Sequence, residues 1–147
     1  MKSFQLILII TIAMLIIFAV KTTSKKQPTV SINNIYFRAE VAKTDEQKEK
    51  GLAKYQKIEN DFVMVFPFNT PDYYTFWMKD MKFPIDIIYV RQNKIVDIFP
   101  NVKAPINADD ALPIIRPKEK ADTVLEINAG LSNRYKFKKD NLIQPNY

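Results

Sequence analysis

The chain has 147 residues, with 22 basic and 16 acidic side chains, two glycines, and neither histidine nor cysteine. That composition excludes a Ser-His-Asp triad, a thiol nucleophile, an imidazole shuttle and a zinc site of Cys/His type. Gly51 and Gly130 stand far apart, so there is no phosphate-binding P-loop and no dinucleotide fingerprint. Any catalysis would rest on carboxylates, lysine, tyrosine or hydroxyls, and no cofactor is expected.

The stretch from Phe4 to Val20 contains only Gln5 and Thr11 as polar members. At helical rise it reaches about 26 Å, close to the thickness of a bilayer's hydrocarbon layer. Thr22-Thr23-Ser24 is a poor cleavage site, which favours an uncleaved transmembrane anchor over residues 1–21 rather than a signal peptide. With no cysteine to acylate, a lipoprotein is excluded. Lys2 on one side against Lys21, Lys25 and Lys26 on the other would, by charge alone, hold the domain in the cytoplasm. A very short tail ahead of an apolar run is instead the usual form of a signal anchor. The expectation is a single-pass protein of the cell membrane with an extracytoplasmic domain.

Those four lysines account for much of the formal charge of +6. The remainder of the chain carries 18 basic and 16 acidic residues with the signs interspersed, so no basic stripe exists to track phosphates and no nucleic-acid partner is expected. The juxtamembrane lysines suit anionic lipid headgroups.

Residues 22–29 read as a polar linker, and residues 30–147 as one domain. From Ile35 to Val41 apolar and polar residues alternate with the period of a half-buried strand. Thr44-Asp45-Glu46-Gln47 has capping-box form and opens a short helix expected to reach about Lys54. Residues 62–66, 73–78, 85–91, 94–99 and 123–129 are β-branched or aromatic runs separated by turn residues and predict strands. Gln92-Asn93 predicts a hairpin, with Asn93 the residue better able to adopt positive φ. Residues 101–119 contain Pro105, Pro113 and Pro117 and predict a long irregular connection, either a rigid cover for a sheet edge or a ligand-gating loop. The fold class that follows is mainly β with one short helix (α+β), a small β-barrel or β-sandwich behind an N-terminal transmembrane helix.

Three segments, in order, carry a family resemblance: Gly51-Leu52, the block from Phe76 to Val90 (FWMKDMKFPIDIIYV), and the run from Val124 to Gly130 (VLEINAG). Together they resemble the prokaryotic family known as domain of unknown function 192. The resemblance implies the fold but no reaction, and many members of that family carry secretory leaders. Two departures from the family pattern fall at turns: Asp61-Phe62 in place of Gly-Met, and Lys139-Asp140 in place of Gly-Asp.

Asp86 is the sharpest carboxylate, because both faces of its strand are apolar and a buried carboxylate must be paired, hydrogen-bonded or protonated. It either fixes the corner at residues 79–83 through backbone amides or serves as a site residue. Glu126 is either an exposed strand residue or, if it converges with Asp86, half of a general acid/base pair. Asp109 and Asp110 could take a hard cation, although adjacent acids without a spaced ligand pattern make a weak metal signal. Trp77 with Phe66, Phe68, Tyr73, Tyr74 and Phe76 forms an aromatic-rich patch, and an exposed ring beside Lys79, Asp80 or Asn128 would suit a saccharide or peptide. Two functions stand: a non-catalytic ligand-binding or envelope-associated module centred on Trp77, Lys79, Asp80, Asp86, Glu126 and Asn128, or a carboxylate-dependent hydrolase or lyase using Asp86 and Glu126. The absence of a recognisable nucleophile or metal cluster favours the first.

Overall fold

Short strands punctuated by asparagine turns build this chain, and the asparagines explain the hairpins. β1 (Thr29–Ile32) and β2 (Ile35–Val41) are joined by Asn33-Asn34, with φ of 49° and 66°. β5 (Ile85–Arg91) and β6 (Lys94–Val102) are joined by Gln92-Asn93, with φ of 50° and 60°. Both loops have the positive φ at both central residues that matches the twist of antiparallel strands. The computed structural model describes Gln5, residues 27–107 and residues 110–147. The expected anchor, apart from Gln5, lies outside the described residues, as does Asp109. Among the described residues no helix is long and apolar enough to cross a membrane.

Between β2 and β3 (Phe62–Asp72) the chain makes the crossover that a parallel pair requires. It uses helix α1 (Asp45–Lys50), continued by a 3-10 turn at Gly51–Lys54. The expected capping box is formed: Thr44 Oγ1 accepts from the Gln47 amide at 3.2 Å, and Gln47 Oε1 accepts from the Thr44 amide at 3.1 Å. The helix nevertheless changes character at Gly51, three residues before its expected end.

β4 (Phe76–Trp77), β7 (Ile114–Ile115), β8 (Ala121–Asn128), helix α2 (Leu131–Arg134) and β9 (Ile143–Asn146) complete the fold. Seven strands form one sheet in the order β6-β5-β8-β3-β2-β1-β9, and β4 pairs with β7. The expected strand over residues 73–78 is reduced to Phe76 and Trp77, because β3 runs on past a bulge between Pro67 and Asp72. The expected linker loses Thr29 to β1.

The sheet curls until its edges meet. Lys94 at the head of β6 bridges Leu142 just before β9, and the Ile143 amide donates to the Asn93 carbonyl at 2.8 Å. The result is a mainly β, half-barrel α+β domain, not two sheets packed face to face. Val63, Val65, Ile88, Leu125 and Ile127 from the central strands share a buried cluster with Ile95 of β6 and Ile143 of β9. The opposite face carries a second cluster, including Met64, Phe66, Ile87, Tyr89 and Val124, covered by the 3-10 turn and the β4 region. Both faces are therefore apolar, which is why β5 reads IDIIYV with no exposed side until Arg91.

Candidate functional site

Register decides where the two sharpest carboxylates go. Ile87 of β5 sits opposite Glu126 of β8, and Asp86 sits opposite Ile127. Cross-strand partners share a face, so Asp86 and Glu126 point to opposite faces of the sheet. The acid/base pair considered from the sequence is not formed.

Asp86 is fully buried on the inner face. Its Oδ1 accepts from the amides of Asn101 at 2.7 Å and Gly130 at 2.9 Å. Its Oδ2 accepts from the Ser132 amide at 2.8 Å and the Ser132 hydroxyl at 2.6 Å. Asp86 does hold backbone amides, but not those of residues 79–83. It ties the end of β6 to the start of α2, because its strand face looks inward, where Gly130 turns the chain with φ of 84°. Four donors leave it without spare valence for a ligand.

Glu126 has the opposite circumstances. It is 5% exposed, flanked by Met64 and Ile87 on the neighbouring strands, and its Oε2 has no hydrogen-bond partner. Burial pushes its carboxyl up to about 8, and a polar contact from the Leu52 backbone amide opposes that shift only weakly. The exposed-strand reading of Glu126 is thus overturned. Burial likewise raises the Tyr89 hydroxyl, with the neighbouring Glu126 and Asp97 adding to it. That hydroxyl donates to the Ile115 carbonyl at 3.1 Å and pins β7 beside β4.

Gly51 makes this arrangement possible. Its φ of 46° and ψ of −140° belong to glycine, and a Cβ there would sit 3.4 Å from both Glu126 Oε2 and Phe66 Cζ. The 3-10 turn can therefore lie close over the carboxyl.

Above Glu126 runs a groove between α1 and the β4 region. Two adjoining hollows, of about 480 and 350 Å³, share Glu49, Lys50, Ala53, Trp77 and Lys79. The larger reaches Asp80, and the smaller has Glu126 and Phe76 on its lining. Trp77 is 48% exposed, with Lys79 Nζ 5.7 Å from its ring centroid. Asp80, with φ of 58°, completes the turn in which the Met81 amide meets the Met78 carbonyl. Lys82 Nζ donates to the Ala53 carbonyl at 2.6 Å and fastens this corner to the 3-10 turn.

Of the residues singled out in the sequence, Trp77, Lys79, Asp80 and Glu126 meet at the groove, with Phe68, Tyr74 and Phe76 of the aromatic patch on the lining of the smaller hollow. Asp86 lies on the other face, and Asn128 is occupied: its amide donates to the Ile58 carbonyl at 2.9 Å and to Asn60 Oδ1 at 3.0 Å. Lys50, Glu49 and Ala53 were not singled out, and only the helical spacing from Glu46 to Lys50 to Ala53 hinted that they share a side. Asp110 accepts from the amides of Ile106 and Asn107 at 2.7 and 2.8 Å, which closes its own loop. Among the described residues no group of three acidic side chains is placed to hold a metal ion.

The long connection at residues 101–119 is anchored at its far half. Ile114 and Ile115 pair with Trp77 and Phe76, and the Lys118 amide donates to Asp97 at 3.0 Å. It therefore buttresses the strand that presents Trp77.

The family model described as DUF192, Uncharacterized ACR, matches residues 28–145. The chain belongs to the DUF192 family. No curated protein matches it. Among solved structures it is similar to a protein of unknown function from Novosphingobium aromaticivorans DSM 12444, with 29% identity, a TM-score of 0.70, and coverage of 84% of this chain and 89% of that one. It is also similar to a candidate transcription regulator from Sinorhizobium meliloti 1021, with 24% identity, a TM-score of 0.71, and coverage of 81% and 93%. The latter likeness is one of fold. Within this DUF192 domain the two departures at turns have local partners. Asp61 takes a two-pronged hydrogen bond from Arg38, at 2.8 Å on each oxygen. Asp140 carries the positive φ of its turn, 70°, while Lys139 pairs with Glu119.

Proposed function

We propose that this DUF192 domain is a non-catalytic ligand-binding module, held at the outer face of the cell membrane by residues 4–20, and that its ligand lies in the groove between α1 and Trp77. The observation that carries the reading is the half-exposed Trp77 beside Lys79 over a groove of several hundred Å³. A large flat apolar surface left in water next to charged side chains is typical of a binding face. Separation of Asp86 from Glu126 removes the two-carboxylate chemistry and favours binding over hydrolysis.

Trp77 is the single tryptophan of the chain, so its emission reports on this groove alone. Titration of the full chain in detergent micelles with saccharide and peptide probes should shift or quench that emission, and Trp77→Phe should lose affinity without losing the fold. A groove that leaves Trp77 emission unchanged across both probe classes would remove this reading. Turnover of a probe, abolished by Glu126→Gln, would replace it with the carboxylate-dependent hydrolase or lyase. For the tether, retention of the chain by membranes through an alkaline wash, with the domain open to protease added from outside, is the expected result. Protection of the domain until the membrane is lysed would place it on the other side.

A further inference from the structure

We infer that Glu126 is the specificity-determining residue of the groove, a buried carboxylic acid that donates its proton to a neutral oxygen acceptor on a saccharide whose ring stacks on Trp77. The inference rests on the binding reading above and adds the ligand class and the residue that reads it.

A protonated carboxyl has one donor and one well-placed acceptor. The Leu52 amide addresses the acceptor side, while Oε2 has no partner at all. A buried polar group without a partner costs free energy, and such orphans in native proteins call for an occupant or a role. The proton belongs on the unpartnered Oε2, and because the terminal carboxyl torsion is broad, a modest turn aims that hydroxyl toward the hollow that Glu126 lines while the other oxygen keeps facing the Leu52 amide.

The surroundings keep the group neutral and select what it meets. Met64 and Phe66 of β3 and Ile87 of β5 are apolar, and Tyr89 of β5 has its hydroxyl committed to Ile115. Lys48, Glu49 and Lys50 of α1, with Lys79 beyond β4, are the charged groups of that hollow; Lys50 is paired with Glu46 at 2.8 Å, and Lys48 lies over Phe68. A cationic ligand would need an ionised Glu126 in an apolar floor. An anionic ligand would find Lys50 and Lys54 already paired with Glu46 and Glu40, and Lys48 and Lys79 offset by Glu49 and Asp80. A neutral ring with hydroxyl or amide oxygens fits: its apolar face covers the indole, its hydroxyls meet the alternating charges of Glu49, Lys79 and Asp80, and one acceptor reaches the floor.

The test is Trp77 emission of the full chain in detergent micelles with cellobiose, maltose and N,N′-diacetylchitobiose as saccharide probes and trialanine as the peptide probe. At least one saccharide should bind, with affinity falling about tenfold between roughly pH 6 and pH 9 as the donor is lost. Glu126→Gln, which donates at every pH, should bind at both with no such fall, and Glu126→Leu should bind weakly at both while retaining native circular dichroism. Saccharide binding that is equally strong at both pH values and indifferent to Glu126→Leu would overturn the role of Glu126 and leave the binding module standing. Binding of trialanine alone would overturn the saccharide class. Silence from every probe would defeat the module reading itself.

Discussion

Gly51 and Glu126 are fitted to one another: the glycine has no side chain where a Cβ would come within 3.4 Å of the carboxyl oxygen Oε2. The backbone there also has φ of 46° with ψ of −140°, outside the regions open to a side-chain-bearing residue. Gly51→Ala therefore carries backbone strain, with its methyl in van der Waals contact with the carboxyl, and denaturant unfolding should show a loss of about 1–3 kcal/mol. A variant as stable as the parent would mean that the 3-10 turn readily adopts another path.

The pH dependence of stability follows from Glu126. Its carboxyl is raised in the fold from 4.5 to about 8, so the folded state holds the proton more tightly than the unfolded chain. The stabilisation from that proton is full below the unfolded value, declines as pH rises from about 4.5 to about 8, and then levels off. Over that window the loss should reach several kcal/mol, at about 1.4 kcal/mol per pH unit. Glu126→Gln carries no proton to lose, and its unfolding midpoint should lose this slope. An unchanged slope in the glutamine variant would assign the pH dependence elsewhere.

At Asp86 both oxygens accept, two donors each, and none of those partners can become an acceptor except the Ser132 hydroxyl. An asparagine would turn an NH₂ toward at least one backbone N–H. Asp86→Asn should therefore cost about 1–3 kcal/mol, and Asp86→Ala, which strands all four donors, should cost more. Equal stability of the asparagine variant would show that the junction of β6 and α2 does not depend on these bonds.

Trp77 offers the complementary case. Its side chain is half exposed, and its pairing with Ile114 is made by the backbone. Trp77→Ala should shift unfolding by no more than about 1 kcal/mol, as for other surface positions away from special features. Calorimetric titration, which does not need the indole, should show that it binds the saccharide probes more weakly than the parent. A variant that unfolds would identify the indole as part of the outer core.

Much of the architecture could be read from local pattern. The alternation in β2, the Thr44 capping box and the Gln92-Asn93 turn each arise from neighbours in sequence, and each is present. Asn33-Asn34 offers the same turn signal, but its flanking strand β1 has only four residues and sits at the border of the expected linker. β9, with sequence IQPN, has no hydrophobic period, and its Pro145 is tolerated because the strand lies last in the sheet order. The site was half legible. Trp77, Lys79 and Asp80 are adjacent in the chain and were found together. Whether Asp86 and Glu126 meet depends on the register of β5 against β8, a pairing across about 40 residues that no local pattern specifies, and a shift of one residue would have reversed the answer.

The meeting of first and last strands has a temporal side. Thr29 pairs with Asn146, so one of the earliest β residues to emerge from the ribosome must wait for one of the latest. Until residues 143–146 have been synthesised, β1 presents a bare edge, open to strands of other chains. Such distant pairing also slows folding, because the loop must close before the contact rewards it. For a nascent chain of this kind, the hazardous interval is the time between making β1 and making β9, and a holding chaperone would act within it.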